Sequence, residues 1–287
     1  MRWSPGSNSG NVEDRRGSRG GMGMAPMGIG GTVILLVLSL IFGRDFISGS
    51  DSGTDPQQQQ PQTASGEVAP VQQSPAEARE VQFVTFVLDT AQATWAKVLP
   101  AELSTRWHDA HLVLFRDRTP TGCGTGQTAM GPFYCPVDEK IYIDLSFYDD
   151  LSKRFGASGD LAQAYVITHE LGHHVQHLLG TDADVRDAER RDPSRAKALS
   201  VALELQADCY AGVWAHHSQD EQMLEAGEIE QGLTAAAAVG DDRIQRATTG
   251  NVDADSFTHG SSQQRASWFR RGFTSGNPKD CNTFTGP

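Results

Sequence analysis

Residues 156–180 read GASGDLAQAYVITHELGHHVQHLLG. Apolar positions recur at the helical period, and Gly180 supplies a C-terminal stop, so the stretch predicts a helix over about 160–179 with Ser158 or Asp160 as its N-cap. Inside it lies His169-Glu170-x-x-His173, two histidines one turn apart on one helix face with a glutamate between them. That spacing can grip a zinc ion and leaves the glutamate free to act as a base. A catalytic zinc keeps three protein ligands and one open position, so the rest of the chain must supply the third ligand.

The neighbouring histidines are poor candidates. His174 is turned about 100° off the ligand face. His177 lies about 12 Å along the helix axis from His169, too far for one ion to join them. A histidine three positions after a glycine, as in the metzincin extension, is also ruled out, because Gln176 and Leu179 occupy those places. A carboxylate from another helix is the remaining option. Glu204 in SVALELQADCYAG, residues 200–212, sits in a largely apolar helical pattern where an unpaired charge is costly. Asp208 follows one turn later and can accept the second ring N–H of a ligating histidine. His259, in the loop FTHGSSQQR of residues 257–265, is the candidate to stabilise an oxyanion. Tyr165 is a weaker one, with a place in the core as its simpler role.

Around these residues the chain predicts a mainly helical α+β fold with a small sheet. Helical spacing over 76–98 ends at Pro100. The β-rich runs HLVLF (111–115) and KIYIDLSF (140–147) flank a Gly-rich segment of loops or an irregular hairpin. The charged stretch 183–195 reads as a solvated connection. Helices are expected over 196–215, at about 220–238, and from near Ser261 through Trp268 and Phe269.

The ends of the chain differ in character. Residues 1–19 are a polar tail with four arginines against two acids, and no ionisable side chain occurs between Arg19 and Arg44. The centre of that window, IGGTVILLVLSLIF at 29–42, makes 20–43 long enough to span a bilayer core of about 30 Å. No small-x-small cleavage pattern follows it. The arginines ahead of it orient the N-terminus to the cytoplasm, so a single-pass anchor in the cytoplasmic membrane with an extracytoplasmic domain is expected. Residues 44–75, rich in Gln, Pro, Ser and Gly, read as a flexible linker, and 76–287 as the folded domain. The net charge of −12, with the basic excess confined to the tail, argues against a nucleic-acid partner. Four cysteines in an oxidising compartment favour two disulfides, Cys123–Cys135 and Cys209–Cys281.

The wording GPFYCP, IYIDL, AYVITHELGHHVQHLLG, ELQADCYAGVW, GDDRIQ, FTHGSSQQRASWFRRGF and CNTF resembles the neutral zinc metallopeptidase family of bacterial membrane-anchored proteins, zincins with a downstream Glu-x-x-x-Asp. The resemblance implies a zincin-like peptidase domain and one Zn2+ per chain, with His169, His173 and Glu204 as ligands and Glu170 catalytic. Peptides or proteins would be the substrates, with the lipid bilayer a partner through residues 20–43. The competing expectation is a membrane-tethered zinc-binding scaffold without hydrolytic activity.

Overall fold

The computed structural model describes residues 1–6, 9–17 and 71–284. The span expected at 20–43 and nearly all of the linker 44–75 lie outside these residues. Among the described residues no helix is long and apolar enough to cross a membrane.

The fold is mainly helical with a small sheet. Helix α1 (Pro75–Leu103) opens with Ser74 as N-cap, whose side chain accepts from the Glu77 N–H, and with Pro75 in the first turn, where its missing N–H costs nothing. The helix continues through Pro100, where the sequence predicted a stop. The carbonyl that loses its partner is that of Ala96; both residues are exposed, so water can replace the bond. The opposite face, with Val84, Val87, Leu88, Ala91, Trp95 and Leu99, is fully buried.

Four strands form the main sheet in the order β1 (Val12–Asp14), β2 (His111–Leu114), β6 (Lys140–Ile143) and β5 (Phe133–Cys135). The first three run parallel and β5 is antiparallel to β6, with Leu112 opposite Ile141 and Tyr134 opposite Ile141 on its other side. Alternation sorts the side chains: Leu112, Leu114, Ile141 and Ile143 join the main core, while Val113, Phe115 and Tyr142 point the other way into a smaller cluster. A two-stranded hairpin, β3 (Arg118–Thr121) and β4 (Gly124–Gln127), fills the Gly-rich segment. The tail of the second β-rich run turns into helix α2 (Ser146–Lys153) instead of continuing as strand.

Helix α3 (Asp160–Leu179) matches the predicted limits, and Gly180 stops it in the left-handed region at φ 77°. Its N-cap is Gly159 rather than Ser158 or Asp160. The charged stretch predicted as a connection is helix α4 (Thr181–Arg191). Acids in its first turn and arginines in its last suit the helix dipole, and only Val185 is buried, so its surface stays as solvated as its composition suggested. Helices α5 (Ala196–Asp220) and α6 (Glu228–Ala238) follow. A short α7 (Asp241–Thr248) was not foreseen, and α8 (Ser262–Ser275) starts at a Ser261–Gln264 capping box.

Two close approaches bind the helices that carry the site. A Cβ on Gly172 of α3 would lie 2.9 Å from the carbonyl oxygen of Ala207 on α5. A Cβ on Gly212 of α5 would lie 2.7 Å from the backbone nitrogen of Phe273 on α8. Glycine is what lets these backbones meet. Both expected disulfides are present, Cys123–Cys135 in the hairpin region and Cys209–Cys281 between α5 and the C-terminal segment.

Of the stretch 1–19, predicted as a polar tail apart from the folded domain, the described residues 1–6 and 9–17 instead pack on it. The charges that made them look solvated have partners: Arg16 is 6% exposed and its guanidinium bonds Asp14, Glu77 and Gln73.

Candidate metal centre

Helix α3 contributes His169, Glu170 and His173, and α5 contributes Glu204 and Asp208. The Gly172–Ala207 contact sets the two helices close enough for one nitrogen of each histidine and one carboxylate oxygen of Glu204 to lie within 4.8 Å of one another. His169 Nε2 stands 3.2 Å from Glu204 Oε2, and His173 Nε2 stands 3.5 Å from Glu204 Oε1.

The tautomers of the two histidines are set by outer partners. His169 Nδ1 is 2.9 Å from Asp208 Oδ1, and His173 Nδ1 donates to Gln176 Oε1 at 2.8 Å. Gln176 is itself fixed, because its amide donates to the Leu203 carbonyl and to Gln206 Oε1. With both Nδ1 positions committed as donors, the Nε2 of each neutral ring would offer a lone pair beside the Glu204 carboxylate. Three electron-pair donors can therefore meet at one point, which in the metal-free protein a proton on His169 bridges.

Zinc fits these donors on two counts. At bonds of about 2.0–2.2 Å, tetrahedral ligand atoms stand roughly 3.4 Å apart, close to the two separations observed. Charge gives the second count. With the imidazoles neutral, as ligands must be, Glu170 at 7% exposure, the fully buried Asp208 and Glu204 at 18% side-chain exposure face the Arg265 guanidinium, itself 3% exposed. A dication balances the excess of negative charge.

Arg265 was not foreseen from sequence. It comes from α8, its Nε donates to Asp208 Oδ2 at 2.8 Å and one Nη to Asp208 Oδ1 at 3.0 Å, and it stands 3.4 Å from Glu204. The Tyr165 hydroxyl also donates to Asp208, so this carboxylate gathers His169, Arg265 and Tyr165 in one buried network. A signal for Arg265 did exist: it lies on the same stripe as the buried Phe269 and Gly272, at the i, i+4, i+7 spacing of a core-facing helix side.

These surroundings shift the titrations. Burial pushes the Glu204 carboxyl up, but the His169 hydrogen bond and the charges of His173 and His259 outweigh it and hold the group well below its usual range. Burial likewise disfavours charge on His169, yet Asp208 and Glu204 overcome it and raise that imidazole to about 9. In the metal-free protein the charged His169 pair therefore stabilises fully below the ordinary histidine pKa of about 6.5, and that contribution fades as pH rises through about 9. A zinc ion bound at His169 would displace this proton. Calorimetry in buffers of different ionisation enthalpy should show about one proton released per zinc at pH 7, with affinity rising up to about tenfold per pH unit until about 9. Proton-free binding across that range would contradict the assignment.

Residues 1–284 match the family described as "Putative neutral zinc metallopeptidase". The chain belongs to this zinc metallopeptidase family. The "Uncharacterized protein YpfJ" of Escherichia coli (strain K12) is 47% identical over 293 residues, covering 99% of each chain. "Uncharacterized protein Rv2575" of Mycobacterium tuberculosis is 41% identical over 208 residues, 69% of this chain and 68% of its own. No solved structure matches.

In this member of the neutral zinc metallopeptidase family, the cluster opens on a cleft of about 1090 Å³ whose lining includes Phe133, Tyr134, Phe147, Phe155, Glu170 and His259. Burial raises the Glu170 carboxyl above its ordinary value. His259, from the loop before α8, is held by Asp241, a residue sequence reasoning missed. One Asp241 oxygen accepts the backbone N–H groups of Thr258, His259 and Gly260, and the other lies 3.1 Å from His259 Nδ1. Burial opposes charge on His259, but Asp241 and Glu204 outweigh it and raise its pKa.

His174 and His177 take other roles. His174 is fully buried, lowered to about 4 by burial, and in its neutral form it accepts from the Tyr134 hydroxyl and donates to the His108 carbonyl. His177 pairs with Asp182 at 3.0 Å.

Proposed function

We propose that the protein is a zinc-dependent endopeptidase that hydrolyses peptide bonds of proteins or peptides outside the cytoplasmic membrane, to which residues 20–43 attach it. The observation that carries this reading is a three-donor cluster, His169, His173 and Glu204, with a buried carboxylate, Glu170, beside it on one cleft wall. A structural zinc site is closed by four protein ligands and needs no neighbouring base. Two disulfides agree with an oxidising location.

Zinc held by the three donors would supply Lewis-acid polarisation of a peptide carbonyl and a lowered pKa for water. The residues of the chain do the rest. Glu170 accepts a proton from the attacking water and returns it to the leaving amine, a task suited to a carboxyl whose basicity burial has increased. His259, oriented through Nδ1 by Asp241, offers its other ring nitrogen as a donor to the carbonyl oxygen as charge builds there. Asp208 holds the His169 ring, and Arg265 keeps Asp208 ionised. The phenylalanines of the cleft give an extended substrate an apolar wall that excludes water.

The purified protein should cleave an unfolded protein, lose that activity to a chelator and regain it with stoichiometric zinc. A zinc-loaded protein that leaves a range of unfolded substrates intact would favour the scaffold reading instead. Glu204→Ala should lower zinc affinity by about a hundredfold or more, since outer-shell partners alone contribute about 10- to 100-fold. Full metal occupancy of that variant at micromolar free zinc would remove Glu204 from the ligand set.

A further inference from the structure

Residues 1–6 and 9–17 are joined to the metal domain at several places, three of which involve α1 and the sheet. Trp3 packs on Phe83 and Phe86 of α1, with ring centroids 5.2 and 6.2 Å away, beneath the Arg79 guanidinium. Strand β1 adds to the edge of the sheet: the Leu112 N–H donates to the Asn11 carbonyl at 2.7 Å and the Arg15 N–H to the Leu114 carbonyl at 2.8 Å. Arg16 is buried at the start of α1, with one Nη donating to Glu77 and the other to Gln73 and Asp14. That guanidinium has partners from both before and after the apolar run at 29–42, and separating a buried ion pair costs about 3–5 kcal/mol.

These contacts constrain how the chain can meet a bilayer. The charge-free window between Arg19 and Arg44 has room for one helical crossing of about 20 residues, not two. A single crossing would leave β1 and β2 on opposite sides of a hydrocarbon core about 30 Å thick, whereas paired strands lie about 4.8 Å apart. Two of the arginines that would retain the N-terminus in the cytoplasm are also occupied: Arg15 binds Glu13 at 2.7 Å and Arg16 binds Asp14 at 2.6 Å. Their charge is neutralised within the fold, which weakens the positive-inside signal.

We propose that the described N-terminal residues, 1–6 and 9–17, and the metal domain lie on the same side of the membrane. This differs from the single-pass orientation that charge and hydropathy predict. It concerns the placement of the N-terminal strand and stands whether or not the protein is a peptidase.

The test uses the full-length chain in spheroplasts. All four native cysteines are in disulfides, so introduced thiols report alone. Ser4→Cys and Ser152→Cys, both exposed positions, are treated separately with a membrane-impermeant maleimide before and after lysis. Equal labelling of the two at the same stage is the expected result. Labelling of one in intact spheroplasts and of the other only after lysis would overturn the proposal. A second variant reports the contact itself. Asn11 Nδ2 donates to Asp109 Oδ2 at 3.0 Å, so the pair Asn11→Cys and Asp109→Cys should be bridged by a short bis-maleimide with permeant access, giving a faster-migrating looped form. Absence of that form in folded protein would equally defeat the docking.

Discussion

Glu170→Gln is expected to keep its zinc while kcat/KM for peptide cleavage falls by about a thousandfold or more, the upper part of the range for removing a general base. The amide has the shape of the carboxylate and cannot take a proton. Because Glu170 is not among the three clustered donors, metal content should be unchanged, which separates loss of chemistry from loss of the site. Elemental analysis and cleavage of a quenched peptide on the same sample provide the measurement. Activity within about tenfold of the parent would remove Glu170 as the base.

Arg265→Met is expected to lower stability of the metal-free protein by about 3–5 kcal/mol, because it leaves the fully buried Asp208 beside Glu204 without its guanidinium. For a domain of this size that corresponds to a Tm lower by roughly 10 °C. The double variant Arg265→Met with Asp208→Leu removes both charges and should recover much of that loss, since an apolar replacement of a whole buried pair is often neutral. It should not recover zinc affinity, because His169 would lack its outer partner. A single variant as stable as the parent would show that the network is not under this electrostatic load.

The contrast between Glu204 and Arg265 shows what the sequence made legible. Glu204 stood out because a carboxylate in an apolar helical pattern needs a partner, and the His-Glu-x-x-His motif supplied one. Arg265 lies in a segment with two further arginines, Arg270 and Arg271, where nothing local sets a buried charge apart from a solvated one. Its partner Asp208 lies 57 residues earlier, and no local pattern links the two. The same reason hid Asp241, which serves His259 across 18 residues. Helix α3 was legible because period, C-terminal glycine and motif agreed, whereas α4 has one buried side chain and so gave almost no hydrophobic period. The docking of residues 1–17 was least legible of all. Acidic and basic side chains there pair with each other and with distant positions, Arg16 with Glu77 across 61 residues and Glu13 with Lys140 across 127, and such pairing is invisible until the sheet exists.

Gly172 gives the metal centre its scale. Two donors ride on α3 and the third on α5, so the radius of any coordination sphere between them is an interhelical distance rather than a property of the side chains. A single methyl group at that position would press on the Ala207 backbone, its carbonyl oxygen at 2.9 Å and its Cα at 3.0 Å, and wedge the helices apart. Zinc bonds tolerate only about 0.2 Å of misplacement. The ruler for this site is therefore an absent carbon, one residue before a ligand, and a change with no chemistry of its own could detune the metal.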